Sequence, residues 1–173
     1  MPKILLPAFL MGTIIMMLIM AQTSALLTTP ASPLGIISLE FAYNTAQTNN
    51  IINAWAPTAT SDKIAAAKVN TYIDFLFLFF YAGFLFLACK AVATNIKEGM
   101  AKAGHFIAGA TLLAGFADII ENIGILFSLN GLISPVISFS TVLSSVIKWV
   151  VVIVALLYIL IGLLILTYRK IKY

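Results

Sequence analysis

The chain has 173 residues, of which 62% are hydrophobic and 9% are charged, and its mean hydropathy is +1.08. Soluble domains carry about 25% charged residues, so this composition excludes an ordinary water-soluble protein. The net charge is +4, and most of the basic residues lie beside apolar segments. This position favours a role of these residues in orienting the protein in a membrane over a role in nucleic-acid binding. The single Cys89 excludes an intramolecular disulfide, and the single His105 excludes a site with several histidine ligands. We therefore predict no metal site, no cofactor and no nucleic-acid partner.

The first apolar run covers residues 4–27 and predicts the first transmembrane helix. A signal peptide usually has an apolar core of about 7–15 residues, which is shorter than this run. A helix needs roughly 20 apolar residues to cross the hydrocarbon core of a bilayer. The run therefore fits a membrane span better than a cleaved signal.

The most polar part of the chain follows this run and begins with two prolines that bar a continuous helix. Ser32 and Pro33 have the order expected of an N-cap and a first helical residue. We therefore predict one amphipathic helix over residues 33–56. It is too polar to cross the membrane, so we expect it to lie at the extracytoplasmic surface or to cover the bundle as a lid.

Three more apolar runs predict the remaining spans, at residues 71–95, 104–129 and 140–168. The second of the four spans is preceded by a polar start near Asp62, so its first turns should project into water. Together these segments predict an all-α integral membrane protein with a single membrane domain over residues 1–173. Its architecture is a four-transmembrane-helix bundle with one additional interfacial helix between the first two spans.

The distribution of basic residues predicts the orientation of this bundle. Four spans place both chain ends on one side of the membrane, where seven basic residues then lie: Lys3, Lys90, Lys97, Lys102, Arg169, Lys170 and Lys172. The opposite side carries only Lys63, Lys68 and Lys148. Because basic residues concentrate on the cytoplasmic side, we expect both termini in the cytoplasm, in a bacterial inner (plasma) membrane.

Four of the six acidic residues fall in or beside the predicted spans, towards the outer half of the bilayer: Glu40, Asp74, Asp118 and Glu121. A charged group at the centre of a span costs about 2.5–3.5 kcal/mol on insertion scales. Such groups therefore face the interior of a bundle, pair with another group or take part in function.

Helical spacing predicts which polar side chains share a face. Asp118, Glu121 and Asn122 are three or four residues apart on the third span, and Asp74 and Tyr81 are seven apart on the second. If these faces converge, they form a polar pocket that opens outward. The candidate pocket residues are Glu40, Asp74, Tyr81, Asp118, Glu121, Asn122 and Lys148.

Each of these residues also has a purely structural interpretation. Lys148 either pairs with one of the carboxylates or extends to the membrane surface beside Trp149. Glu40 either covers the pocket or belongs to the solvated face of the amphipathic helix. The polar residues of the third span can simply hydrogen-bond between helices and fix their register.

The sequence does not identify an activity. It contains no Walker loop, GxGxxG, HExxH or CxxC motif. The first hypothesis is a binding or structural protein, or an accessory subunit, whose partners are the lipid bilayer, a bound lipid or other membrane subunits. One alternative is an intramembrane enzyme that acts on a lipid or isoprenoid, with Asp118 and Glu121 as acid and base. The other alternative is a cation or proton pathway.

Overall fold

The computed structural model describes residues 4–59 and 61–172 and is entirely helical in this part of the chain, apart from its connections. The helices are α1 (Leu5–Ala25), α2 (Ile36–Glu40), α3 (Thr45–Ala54), α4 (Lys63–Ala93), α5 (Glu98–Leu129) and α6 (Pro135–Lys172). Helices α1, α4, α5 and α6 are long and apolar enough to cross a membrane. The protein is therefore an integral membrane protein with four spans, which confirms the predicted fold class.

Helices α4, α5 and α6 begin before the apolar runs that predict them, whereas α1 lies within its predicted run of residues 4–27. Helix α4 begins at Lys63, eight residues before the predicted span, because the Asp62 carboxylate caps it by accepting a 2.9 Å hydrogen bond from the Ala65 amide. Helix α6 begins at Pro135, where a proline is well tolerated as a first helical residue. These additional turns lengthen the helices without changing which segments are candidate membrane spans.

Two short helices, α2 and α3, occupy the region where the sequence predicts one continuous helix over residues 33–56. The chain is extended at Asn44, with φ −146° and ψ 164°. The Asn44 side chain accepts a hydrogen bond from the Gln47 amide at 2.9 Å, and the Gln47 side chain accepts one from the Tyr43 amide at 3.2 Å. This reciprocal capping starts a new helix at Thr45 and so breaks the predicted one.

Ser32 has a different role from the predicted N-cap. Its hydroxyl group donates to the Leu27 carbonyl at 2.7 Å and accepts from the Trp55 indole nitrogen at 3.0 Å. The first helix of this region begins only at Ile36, after a glycine with φ +61°. Ser32 therefore fastens the end of α3 to the end of α1.

Helix α4 packs against α1, α5 and α6, whereas the main packing surface of α1 is on α4 alone. The α1–α4 interface interlocks at two glycines. The Phe80 ring lies against Gly12 and the Phe9 ring lies against Gly83, so neither position has room for a side chain. Helix α1 is therefore an outer helix on a compact unit of α4, α5 and α6.

Buried apolar residues form two separate clusters along the bundle. One cluster joins α2 and α3 to the adjacent ends of α1, α4 and α5, and it is centred on the fully buried Trp55. The other lies between α4, α5 and α6 and contains Leu85, Cys89 and Tyr158. The polar residues described next lie between these two clusters.

Candidate functional site

Lys148 on α6 lies at the centre of a buried group of acidic residues. Its ammonium nitrogen is 2.7 Å from Glu121 Oε1, 3.1 Å from Asp118 Oδ1 and 3.5 Å from Glu40 Oε2. The two α5 carboxylates are at most 1% exposed, and Lys148 is 8% exposed. Three carboxylates from two helices thus share one cation away from water, which we call the Lys148 cluster.

Neutral donors complete the hydrogen bonding of two of these acids. The Tyr81 hydroxyl group on α4 donates to Asp118 Oδ2 at 2.8 Å. The Trp149 indole nitrogen donates to Glu40 Oε2 at 3.3 Å. The cluster therefore links α2, α4, α5 and α6, and each contact limits how these elements can move past one another.

Helical geometry explains how the sequence builds this cluster. Asp118 and Glu121 are one turn apart on α5 and point to the same side. Glu40 is the last residue of α2, and its carbonyl oxygen accepts a 3.2 Å hydrogen bond from the Ser145 hydroxyl group on α6. Ser145 precedes Lys148 by one turn, so the same face of α6 holds both the backbone and the side chain of Glu40.

The structure brings the sequence-predicted pocket residues together. Glu40, Tyr81, Asp118, Glu121 and Lys148 are joined by the contacts above, and all of them are buried. Lys148 pairs with carboxylates and does not extend to the membrane surface, and Glu40, at 6% exposure, does not lie on a solvated face. Both surface interpretations are therefore wrong.

Asp74 and Asn122, the other two predicted residues, are buried at the edge of this group. Asp74 is 7% exposed and Asn122 is 1% exposed, and neither contacts Lys148 within ion-pair or hydrogen-bond distance. Asn122 Nδ2 and Glu121 Oε2 have no hydrogen-bond partner among the described residues. The polar network is thus incompletely satisfied, which is costly in a buried setting.

A cavity of about 480 Å³ adjoins the Lys148 cluster. Its polar end is formed by Glu40, Asn70, Asp74, Asp118 and Lys148. Its walls are largely apolar and come from α1, α4 and α6, with α2 at the polar end: Met17, Met20, Ile36, Ile37, Phe77, Phe84, Leu85, Val152 and Leu156. The volume lies within the range of about 300–1,000 Å³ that is usual for ligand pockets.

Sequence reasoning missed two contributors to this region. Helix α1 forms a cavity wall although it carries no charged residue, and no pattern in its sequence indicates that role. Trp55 stands at the end of the predicted amphipathic helix, where its large ring is expected only to pack, yet its indole nitrogen donates to the Leu27 carbonyl at 2.8 Å. A tryptophan that follows a polar segment is the single local signal that could have suggested such a bond.

The charged centre of this site is filled by a side chain of the protein itself. The Lys148 nitrogen occupies the point between three carboxylates where a bound cation would lie. Within residues 4–59 and 61–172, no group of three or more His, Cys, Asp or Glu residues is placed to hold a metal ion. The apolar cluster around Leu85 and Cys89 lies next to the Lys148 cluster, towards the other end of the bundle.

Comparison of the chain with protein-family models, curated proteins and solved structures finds no match.

Proposed function

We propose that this protein is a membrane-embedded binding protein that holds an amphipathic lipid in the cavity beside the Lys148 cluster. The observation that carries this proposal is the cavity itself, which combines one charged end with long apolar walls. An amphipathic molecule has the same division between a polar head and a hydrocarbon chain. Its head group would lie near Asp74 and Lys148, and its chain along Phe84 and Leu156.

The packing of the helices supports entry from the bilayer. Helix α1 forms one wall of the cavity and α6 forms another, but the principal partner of α1 is α4. Since extensive helix packing does not join α1 to α6, a lipid chain can pass between them without unfolding the bundle. The α2 residues Ile36, Ile37 and Glu40 lie over the polar end and restrict access from the aqueous side.

We also propose that the α2–α3 end of the bundle faces outward and that both chain ends lie in the cytoplasm of a bacterial cell. Basic residues lie in the α4–α5 connection, in the helix turns beside it and at the end of α6: Lys90, Lys97, Lys102, Arg169, Lys170 and Lys172. The other end has Lys63 and Lys68 as its exposed or half-exposed lysines. By its position in the sequence Lys148 counts as a basic residue of the outer side, but it is buried in the Lys148 cluster. Without it, the excess of basic residues on the proposed cytoplasmic side is larger, which supports this orientation more strongly. Lys3 lies outside the described residues.

The proposal is tested by narrowing the cavity. Val152 lines the cavity on α6, whereas the adjacent Ile153 is 51% exposed and does not line it. Protein extracted from its own membranes in mild detergent should carry a bound lipid in a native mass spectrum. We expect Val152→Trp to lose most of this lipid and Ile153→Trp to keep it.

Equal retention by Val152→Trp, Ile153→Trp and the unaltered protein would show that the lipid lies on the outer surface, and the proposal would fail. Circular dichroism of both variants provides the control for folding. Co-purifying protein chains in the same spectrum would instead support a role as an accessory subunit.

A further inference from the structure

The polar end of the cavity is lined by a residue with a hydrogen-bond acceptor that nothing in the described protein satisfies. Asn70 lies on α4 and lines the cavity at 1% exposure. Its side-chain nitrogen donates to the Met20 carbonyl at 3.1 Å and also to the Thr23 hydroxyl group. Because the Met20 carbonyl can only accept, the amide must present its nitrogen to α1. The Asn70 oxygen is buried and has no hydrogen-bond partner among the described residues.

Asp74 follows Asn70 by one helical turn and lines the same cavity. It differs from the other three buried acids, which all lie within 4 Å of the Lys148 nitrogen. Asp74 has no ion pair with any described residue. A carboxylate and an amide oxygen, four residues apart on one helix face, thus form a pair of acceptors at the polar end.

The charges of this region also favour a cationic ligand. Three carboxyl groups contact the Lys148 ammonium group and Asp74 lies beside them, so this one cation can balance only one of the four acids. The remaining formal negative charge has to be met by protons or by another cation. A second ammonium group near Asp74 would meet it and would supply the donor that the Asn70 oxygen lacks.

We propose that the ligand of this cavity is a lipid amine, whose ammonium head group binds between Asp74 and Asn70 and whose chain lies along α4 and α6. This inference rests on the proposed lipid-binding function and specifies the chemical class of the lipid. An ammonium group has three donors and no acceptor, which matches a surface of two acceptors. Phe77, which lines the cavity one turn beyond Asp74, adds an aromatic ring near the charge.

The test compares two probes that differ only in the head group, n-dodecylamine and n-dodecanol, on the full-length protein stripped of its lipid in detergent. Native mass spectrometry measures the dissociation constant of each probe. We expect the unaltered protein to bind the amine at least about tenfold more tightly than the alcohol, because charge-assisted hydrogen bonds are roughly twice as strong as neutral ones.

Asp74→Asn should remove this preference while keeping the size of the side chain. Asp62→Asn is the matched control, since it makes the same change on the same helix outside the cavity, where asparagine also serves as an N-cap. We expect Asp62→Asn to keep the preference for the amine. If Asp74→Asn does not fold, the ratio of the two affinities in the unaltered protein decides the question.

The outcomes separate the two proposals. If amine and alcohol bind equally and Val152→Trp weakens both, the cavity binds lipids but the amine inference is overturned. A preference for the amine that persists in Asp74→Asn overturns the inference as well. If Val152→Trp leaves the binding of both probes unchanged, the probes do not bind in the cavity, and the proposed function fails with the inference.

Discussion

The Lys148 side chain contacts three carboxylates, so a single substitution there changes the charge balance of the whole buried cluster. Taking charges out of water is costly, and the mutual attraction of buried partners compensates for that cost only while all partners are present. Glu121 and Asp118 are the two acids closest to the Lys148 nitrogen and are at most 1% exposed. Lys148 is the one cation within 4 Å of either acid among the described residues, so both depend on it for a counter-charge.

We predict that Lys148→Met lowers the free energy of unfolding by about 3–5 kcal/mol, because it leaves buried carboxylates without a counter-charge. The measurement is thermal or SDS-induced unfolding in detergent, followed by circular dichroism. Lys102→Met is the control, since Lys102 pairs with Glu98 at 3.0 Å on the exposed surface, where such pairs contribute roughly 1 kcal/mol or less. Similar losses in the two variants would contradict a structural role for the buried cluster.

Helical spacing predicts the shared face of Asp118, Glu121 and Asn122 correctly, because the side chains of one helix have a fixed angular relation. It does not predict which neighbour that face meets. The surface and buried alternatives for Lys148 and Glu40 differ only in the packing of other helices against them. That packing is set by contacts between residues far apart in the chain, such as the bond from Ser145 to the Glu40 carbonyl.

Helix α1 joins the bundle through a narrow set of contacts, which makes it sensitive to the size of a few residues. Only Met16 of this helix is buried. The Phe9 and Phe80 rings fill the space beside Gly83 and Gly12, and they lie 6.0 Å apart, centroid to centroid. The position of α1 therefore depends on two glycines, one on each helix.

We predict that Gly83→Leu displaces α1 and lowers the free energy of unfolding by about 1–3 kcal/mol, the usual cost of overpacking. The same variant should lose bound lipid, since α1 forms one wall of the cavity. Thermal unfolding and native mass spectrometry measure the two effects. Gly109→Leu is the control, because a side chain added at Gly109 meets open space. Unchanged stability and lipid content in Gly83→Leu would show that the interface tolerates a wider spacing.

At the level of elements, the sequence predicts the four spans because each is a long apolar run, and run length is a property of the chain alone. The break between α2 and α3 depends on a capping interaction of Asn44 with Gln47 inside the segment predicted as one amphipathic helix. Neither a proline nor a glycine marks it. The spacing of apolar residues alone therefore predicts a helix that continues through Asn44, where local hydrogen bonds in the structure start a new one.

For the molecule as a whole, the proposed orientation predicts which positions water-soluble reagents reach from each side. Ala59 lies in the exposed connection before α4, and Gly99 lies in the exposed first turn of α5. We expect a membrane-impermeant maleimide to label Ala59→Cys in intact cells and Gly99→Cys only after permeabilisation. The buried Cys89 should give little background, and a Cys89→Ala background removes it. The opposite labelling pattern would reverse the orientation.

The cavity could not be predicted from the sequence, although its charged end could. Its existence depends on how far α1 stands from α6, and that distance follows from the packing of both helices on α4. Apolar residues on α1 look alike whether they face lipid, a neighbouring helix or a cavity. The polar residues are easier to locate, because a carboxylate in a span is constrained to avoid lipid.

The ion pairs between Lys148 and the α5 carboxylates also affect how this protein enters the membrane during synthesis. Taken singly, α5 would carry Asp118 and Glu121 into the bilayer and α6 would carry Lys148, each residue at a cost of about 2.5–3.5 kcal/mol. The short connection at residues 130–134 allows the two helices to meet before either is surrounded by lipid. Insertion of α5 and α6 as one hairpin pairs Lys148 with the two α5 acids, which offsets part of this cost. The cluster that stabilises the folded bundle thus also favours the entry of α5 and α6 into the lipid bilayer as a pair.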